Sequence, residues 1–266
     1  MPREKTAIFL SIREKATRLP KKVLLPIQGK TITEHLIARL KTARRPDQVI
    51  LTTSTHPDDQ VLADLAARCG IPCFCGSEDD KLDRYRQAAR AYGIDFMVIV
   101  DGDDPFCDPE YIDRIIERYQ ETHADFVRVQ DLPLGANANG FSRAALEKVC
   151  QIKKENDTEV WGGYFTQTGL FQVETLEVPD PLLRRPEVRM TLDYEEDYQF
   201  FQEVFAALYV PGRVFSLKEV MDFLNRRPEV IEINRGVQKL YEENLGRHTK
   251  ISYELSRQKR GEECVS

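Results

Sequence analysis

The sequence predicts an α/β protein of three layers, a mostly parallel sheet with helices on both faces. Three observations carry that expectation. Strand-like and helix-like runs alternate along the chain, and the early strands are nearly continuous apolar runs, as suits a sheet covered on both sides. Polar and charged residues follow at the carboxyl ends of those strands, where open α/β sheets bind ligands.

The first strand is TAIFLS (6–11), an apolar run that breaks into a basic loop with Arg13, Arg18, Lys21 and Lys22. Further strands are read at DQVILTTS (47–54), IPCFC (71–75), DFMVIVDG (95–102), ADFVRVQ (124–130), GLFQVET (169–175) and a short RMTLD (189–193). Helical periodicity fills the gaps at 33–42, 58–69, 81–92, 109–122, 142–152, 195–208 and 217–226. Asp108 before Pro109 reads as a cap with proline in the first turn, and Asp193 with the acids behind it suits a helix N-terminus. No internal repeat interrupts this order. We expect one domain over 1–245 and a polar tail at 246–266 that frays or forms a helix contacting another subunit.

At 266 residues, 41% hydrophobic and 31% charged, the chain has an ordinary soluble balance and can bury a large core. No apolar run approaches the ~20 residues that span a bilayer, and MPREKTAIFLS makes a poor signal peptide, so no membrane association and a cytoplasmic location are expected. The net charge of −6 argues against nucleic acid as a general partner, since the basic residues are local. Six cysteines show no framework of spacings and read as free thiols. Cys69, Cys73 and Cys75 are read as packing residues, with no fourth zinc ligand nearby. The four histidines, His35, His56, His123 and His248, are scattered and read as surface or helix positions.

The candidate chemistry lies after the strands: Ser11 and Arg13, Thr53 and Ser54, Gly76 to Asp79, and Asp101 to Asp104. Several cations delivered to one loop suit the roughly four negative charges of a triphosphate, although a solvated basic turn is the plainer alternative. In VDGDDPFCDPE, Gly102 lets the chain turn between carboxylates that phosphates would repel unless a divalent cation stood between them. Mg²⁺ fits because it takes few carboxylates and completes its shell with water and phosphate. Asp193 in RMTLDYEEDY could supply a second ligand or simply cap a helix. Trp161, before Gly162 and Gly163, reads as packing or as a wall for a sugar ring.

Taken in order, IREKATRLPKKVL, CGSEDDKLDRYRQAA, VDGDDPFCDPE, LPLGANANGFSRAALE and TLDYEEDY resemble the cytidylyltransferase family that activates acidic sugars as CMP conjugates. The resemblance is nearest the spore coat polysaccharide biosynthesis protein F branch, with CMP-Kdo and CMP-sialic acid synthetases as relatives. It covers about 6–234 and implies a Rossmann-like nucleotidyltransferase fold of the nucleotide-diphospho-sugar transferase type, with a small dimerisation and acceptor lobe at about 132–189. It implies CTP and an acidic sugar as substrates, Mg²⁺ as cofactor, and a homodimer.

By that resemblance Arg13, Arg18 and Lys22 grip the CTP phosphates, with Arg13, Lys22 and Asp103 as the catalytic set. Asp103 and Asp193 hold the metal. Ser11, Ser54, Ser77, Asp80, Arg84 and Asp101 complete the nucleotide side, and Arg84, Asn139, Glu159 and Trp161 are assigned to the acceptor. The chain departs from the family pattern at Ala16 (with Thr17 beside it), Lys21, Cys75 and Glu155 to Glu159, so the acceptor stays open, a phosphonate included. Sugar-1-phosphate nucleotidyltransferases share the metal aspartates but carry a glycine-rich loop, and none of Thr6 to Gln28 is glycine. A nucleotide-sugar glycosyltransferase and an inactive nucleotide-binding protein remain as alternatives.

Overall fold

The computed structural model describes residues 3–14, 18–248 and 251–254. From the amino end come β1 (Thr6–Ser11), the hairpin β2 (Pro26–Ile27) and β3 (Lys30–Thr31), and α1 (Ile32–Leu40). Then follow β4 (Gln48–Ser54), α2 (Gln60–Arg68), β5 (Cys73–Gly76), α3 (Lys81–Tyr92), β6 (Phe96–Asp101) and α4 (Pro109–Thr122). The second half holds β7 (Phe126–Val129), β8 (Asn139–Ser142), α5 (Arg143–Ile152), α6 (Gly162–Thr166) and β9 (Val173–Leu176). Four helices close the sequence: α7 (Glu195–Leu208), α8 (Leu217–Arg226), α9 (Glu229–Arg235) and α10 (Gln238–His248).

Seven strands form one sheet in the order β5-β4-β1-β6-β8-β7-β9. β1 runs parallel to both β4 and β6, with Ser11 level with Thr52 and Asp101, so the polar residues after these strands emerge at one edge. Only β8 runs against its neighbours β6 and β7, and β9 is again parallel to β7. The sheet is therefore mostly parallel.

Alternation along the central strands feeds two cores. Ile8, Leu10, Val98 and Val100 face the larger one with α1, α4, α7 and α8, while Ala7, Phe9, Met97 and Ile99 face a smaller one with α3, α5 and α6. Each such side chain is essentially removed from water, which stabilises by about 1.5–3 kcal/mol for a large aliphatic or aromatic group. Short polar residues fix where helices start. Asp80 accepts from the Asp83 amide at 3.0 Å, Asp108 from Glu110 at 2.9 Å, and Ser142 from Ala145 at 3.1 Å.

The structure departs from the sequence reading in several places, the β2–β3 hairpin among them. β8 was not expected, because NGFS is short and opens with two poor strand formers. Its Gly140 is required by packing, since a Cβ there would lie 2.5 Å from Phe96 Cζ and 2.7 Å from Ile115 Cγ2. The expected strand at 189–193 makes only a single bridge, Leu134 to Arg189, and then breaks off as the Leu192 amide donates to the Asp103 carbonyl at 2.8 Å. The segment GLFQVET becomes strand only from Val173, and α6, α9 and α10 add helices that its periodicity did not announce.

Residues 251–254 lie along the end of α5, where the Lys154 amide donates to Ser252 at 2.9 Å and Ile251 packs into the smaller core over Gly163. The remainder of the expected tail, 255–266, lies outside the described residues, as do Ala16 and Thr17 of the basic loop. Among the described residues no helix is long and apolar enough to cross a membrane.

Candidate active site

A cleft of about 620 Å³ opens at the carboxyl ends of β1 and β6. Its floor forms at Gly102, whose amide donates to the Ser11 carbonyl at 2.9 Å. A Cβ at Gly102 would stand 2.4 Å from Ile12 Cγ1, so only glycine lets the two strand ends close up this tightly. Asp103 follows at once. Its carbonyl receives the Leu192 amide, which brings the segment before α7, and with it Asp193, beside the end of β6.

The basic loop meets these carboxylates. Lys22 Nζ lies 2.6 Å from Asp103 Oδ2 and 2.9 Å from Asp193 Oδ1, and Arg18 Nη2 lies 2.6 Å from that same Asp193 oxygen. Burial works against the charge on Lys22, but Asp103 and Asp193 outweigh it and hold its pKa above the ordinary lysine value. Burial likewise opposes the charge on Asp193, and the surrounding Lys22, Arg18 and Arg189 prevail, keeping its carboxyl below the usual range. Asp104, half-buried beside Asp103 and Asp101, is pushed the other way, well above the ordinary aspartate value, first by its removal from water and then by its acidic neighbours.

A second group lies on the α3 side. Lys81 is the first residue of α3, and its side chain turns toward the strand ends, where Nζ reaches Asp101 at 2.8 Å and Glu159 at 3.3 Å. Arg13 closes the circle, with Nη2 2.6 Å from Glu159 Oε2 and Nη1 donating to the Glu78 carbonyl. Lys81, above all, and then Arg13 draw the Glu159 pKa down to about 2, against the partial loss of water around it in the cleft. Arg84, fully buried on the next turn of α3, donates one Nη1 bond to the Ser77 carbonyl at 2.9 Å. Its Nε and Nη2 are buried without a hydrogen-bond partner, an unusual state for a guanidinium.

Of the residues expected from the sequence, Ser11, Arg13, Arg18, Lys22, Arg84, Asp101, Asp103, Asn139, Glu159, Trp161 and Asp193 all border the one cleft. Three do not. Ser54 borders a separate cavity of about 230 Å³ on the far side of Arg13, where its hydroxyl and amide bond Asp59. Ser77 is spent on the turn before α3, accepting from the Asp80 amide at 3.1 Å. Asp80 caps α3 and is shared with Thr158 at 3.0 Å and with the Lys153 ammonium. Trp161 is 7% exposed and packs edge-on to Phe141, Phe165 and Tyr85. It is mainly a core residue with one edge at the cleft.

Sequence reasoning missed Lys81, Arg189, Asp197, Asn234 and Tyr241. A signal existed for Lys81, since a lysine directly after a helix cap at the ligand edge of a parallel sheet has its side chain carried back toward that edge. No local pattern marks the others.

A mostly parallel sheet whose strand ends deliver clustered cations and two convergent aspartates to one cleft is the site of a nucleotidyltransferase, and that is the class of enzyme defined here. The chain belongs to the cytidylyltransferase family, whose description matches residues 7–176. It is 32% identical over 241 residues to uncharacterized protein MJ1063 of Methanocaldococcus jannaschii, covering 88% of this chain and 97% of that one. It is 27% identical over 228 residues to the Bacillus subtilis spore coat polysaccharide biosynthesis protein SpsF, covering 83% of this chain and 94% of the other. A shorter match, 32% identical over 112 residues, is to 3-deoxy-manno-octulosonate cytidylyltransferase of Anaeromyxobacter dehalogenans, covering 41% of this chain and 45% of that one. Among solved structures, a cytidylyltransferase from Leptospira borgpetersenii superposes with a TM-score of 0.78 at 25% identity, covering 86% of this chain and 97% of that one. The family match ends before Asp193, and the Leu192 amide on the Asp103 carbonyl is what brings this second carboxylate beside Lys22.

Proposed function

We propose that the protein transfers the cytidylyl group of CTP to an acidic sugar of the Kdo or nonulosonate type, in surface polysaccharide or glycoconjugate biosynthesis. The observation that carries this is the meeting of Asp103 and Asp193, from separate elements, on the single Lys22 ammonium at the ends of β1 and β6. Two carboxylates aimed at one cationic point, beside further phosphate-seeking cations, suit a divalent ion such as Mg²⁺, which takes oxygen ligands from few carboxylates. Bound there, such an ion supplies charge neutralisation to the phosphate oxygens.

The remaining work falls to side chains. Lys22 and Arg18 leave Asp193 to grip the β- and γ-phosphates, and Arg13 leaves Glu159 to join them. An acceptor oxygen attacks the α-phosphorus as the bond to the bridging oxygen breaks and pyrophosphate departs with its charge held by these cations. The acceptor sits between Asn139, Glu159 and the edge of Trp161, and its acidic group faces Arg84, whose idle donors call for an anion. We place the reaction in the cytoplasm in a homodimer.

The test is pyrophosphate release from CTP with Mg²⁺ across a panel of acidic sugars, with Asp103→Asn as control. Turnover with at least one acid, lost in the variant while its melting temperature holds, is expected. No release with any acid, together with no CTP binding, overturns the proposal.

A further inference from the structure

We infer that Arg189 is a positioning residue that fixes one oxygen of Asp193 and leaves the other to the ligand; this rests on the reading of Asp193 as a cation ligand. Arg189 does not border the cleft. It lies behind it, 3% exposed, and its guanidinium is engaged along both of its forked edges. Nη2 reaches Asp193 Oδ2 at 3.0 Å and Asp197 Oδ2 at 2.9 Å, while Nε reaches Asp197 Oδ1 at 2.8 Å. Nη1 donates to Gln238 at 3.2 Å, and the ring of Tyr241 covers the plane at 4.6 Å.

The carboxylate of Asp197 is the keystone of this group. It is fully buried, and besides Arg189 it accepts the amides of Asp193 at 2.9 Å and Tyr194 at 3.0 Å and the Asn234 side chain at 2.9 Å. Two interactions therefore hold Asp193, one on its backbone from Asp197 and one on its carboxylate from Arg189. The two oxygens of Asp193 have different partners. Oδ2 is turned inward to Arg189, whereas Oδ1 is turned to the cleft, where it meets Arg18 and Lys22. Those two cations come from the basic loop on the cleft side, whereas Arg189 lies behind Asp193, enclosed by α7, α9 and α10.

A carboxylate held this way offers a single oxygen in a fixed direction, as an octahedral ion with little tolerance for distortion requires. Partners that orient ligands from behind typically control 10–100-fold in metal affinity. Lysine at 189 lacks the fork and cannot serve Asp193 and Asp197 together.

Mn²⁺ binding to the full chain, followed by the EPR signal of the free ion, tests this without turnover. Arg189→Lys is expected to weaken Mn²⁺ about 10-fold or more, and Arg189→Gln further. Asp193→Asn separates the premises: wild-type Mn²⁺ affinity in Asp193→Asn overturns the metal reading itself. A loss there with affinity within twofold of wild type in Arg189→Lys overturns the positioning role alone. If Arg189→Lys does not fold, Arg189→Gln replaces it, since it removes the bond to Asp193 Oδ2 and leaves Asp193 itself in place; Mn²⁺ affinity within twofold of wild type in that variant likewise overturns the role.

Discussion

Replacing Lys22 with methionine keeps most of the side chain's bulk and removes the charge that Asp103 and Asp193 share. All three groups are largely buried, with side-chain exposures of 13%, 27% and 3%. Stripping one partner from such a cluster typically costs about 3–5 kcal/mol, because the remaining charges lose their compensation. Arg18 still touches Asp193 at 2.6 Å, which puts the expected loss at the lower end, about 3 kcal/mol. On the proposed function, the vacated point between two carboxylates would take a divalent ion, which in the wild type would first have to displace the ammonium. At Mg²⁺ one hundred times its Kd, binding restores about 2.7 kcal/mol. For a chain of this length that is roughly 5–10 °C of melting temperature. The assay is thermal unfolding by circular dichroism over a Mg²⁺ series, with turnover measured in parallel. Lys22→Met should melt lower than wild type without the ion, gain more from it, and turn over CTP on the order of 10²-fold more slowly. An ion-induced shift in Lys22→Met no larger than in wild type would refute the shared-cation reasoning.

Three further outcomes are expected. Arg84→Met removes a buried guanidinium with idle donors, so the ligand-free protein should be as stable as wild type or more so, while the acceptor KM rises at least tenfold; denaturant melts and steady-state kinetics check both halves. Gly135 has φ 88°, and a Cβ there would lie 2.4 Å from the Met190 carbonyl oxygen, so Gly135→Ala should cost about 2–4 kcal/mol in urea unfolding. Glu159 has a pKa lowered from its ordinary 4.5 to about 2, so its stabilising contribution is full above pH 4.5 and fades as pH falls toward 2. Its side chain is 48% exposed in the cleft, so solvent screening keeps the contribution small. Glu159→Gln should flatten that part of the stability-against-pH curve, and an unchanged acid limb counts against the pairing with Lys81 and Arg13.

The central strands could be read because burial on both faces leaves a plain mark, and TAIFLS became β1 without a residue's shift. β8 could not, because its presence depends on a glycine whose purpose is the room it leaves for Phe96 and Ile115, far away in sequence. RMTLD alternates as a strand does, yet the side chain of Arg189 is drawn to Asp197 and the Leu192 amide to Asp103, and those long-range bonds replace a ladder. At the site the charged residues at strand ends were legible, since topology fixes where strand ends go. Asp80 and Ser77 fall outside the cleft, because a cap and a ligand group use the same residue types, and only the bond from Asp83 or from Asp80 itself tells them apart. Asn234 and Tyr241 arrive on helices with no motif, so nothing local announces them.

The pairing of Arg13, Arg18, Lys22 and Lys81 with Glu159, Asp101, Asp103 and Asp193 has a consequence for selectivity. A cleft that already contains its own counterions does not reward every anion. A ligand gains only what it offers beyond the carboxylates it displaces, so a monophosphate exchanges one set of ion pairs for a poorer one, whereas a triphosphate replaces several at once. When the substrate is split, neither fragment alone matches that exchange, and the carboxylates take back their cations. On the proposed function, these same ion pairs would favour entry of the intact nucleotide and departure of its pieces.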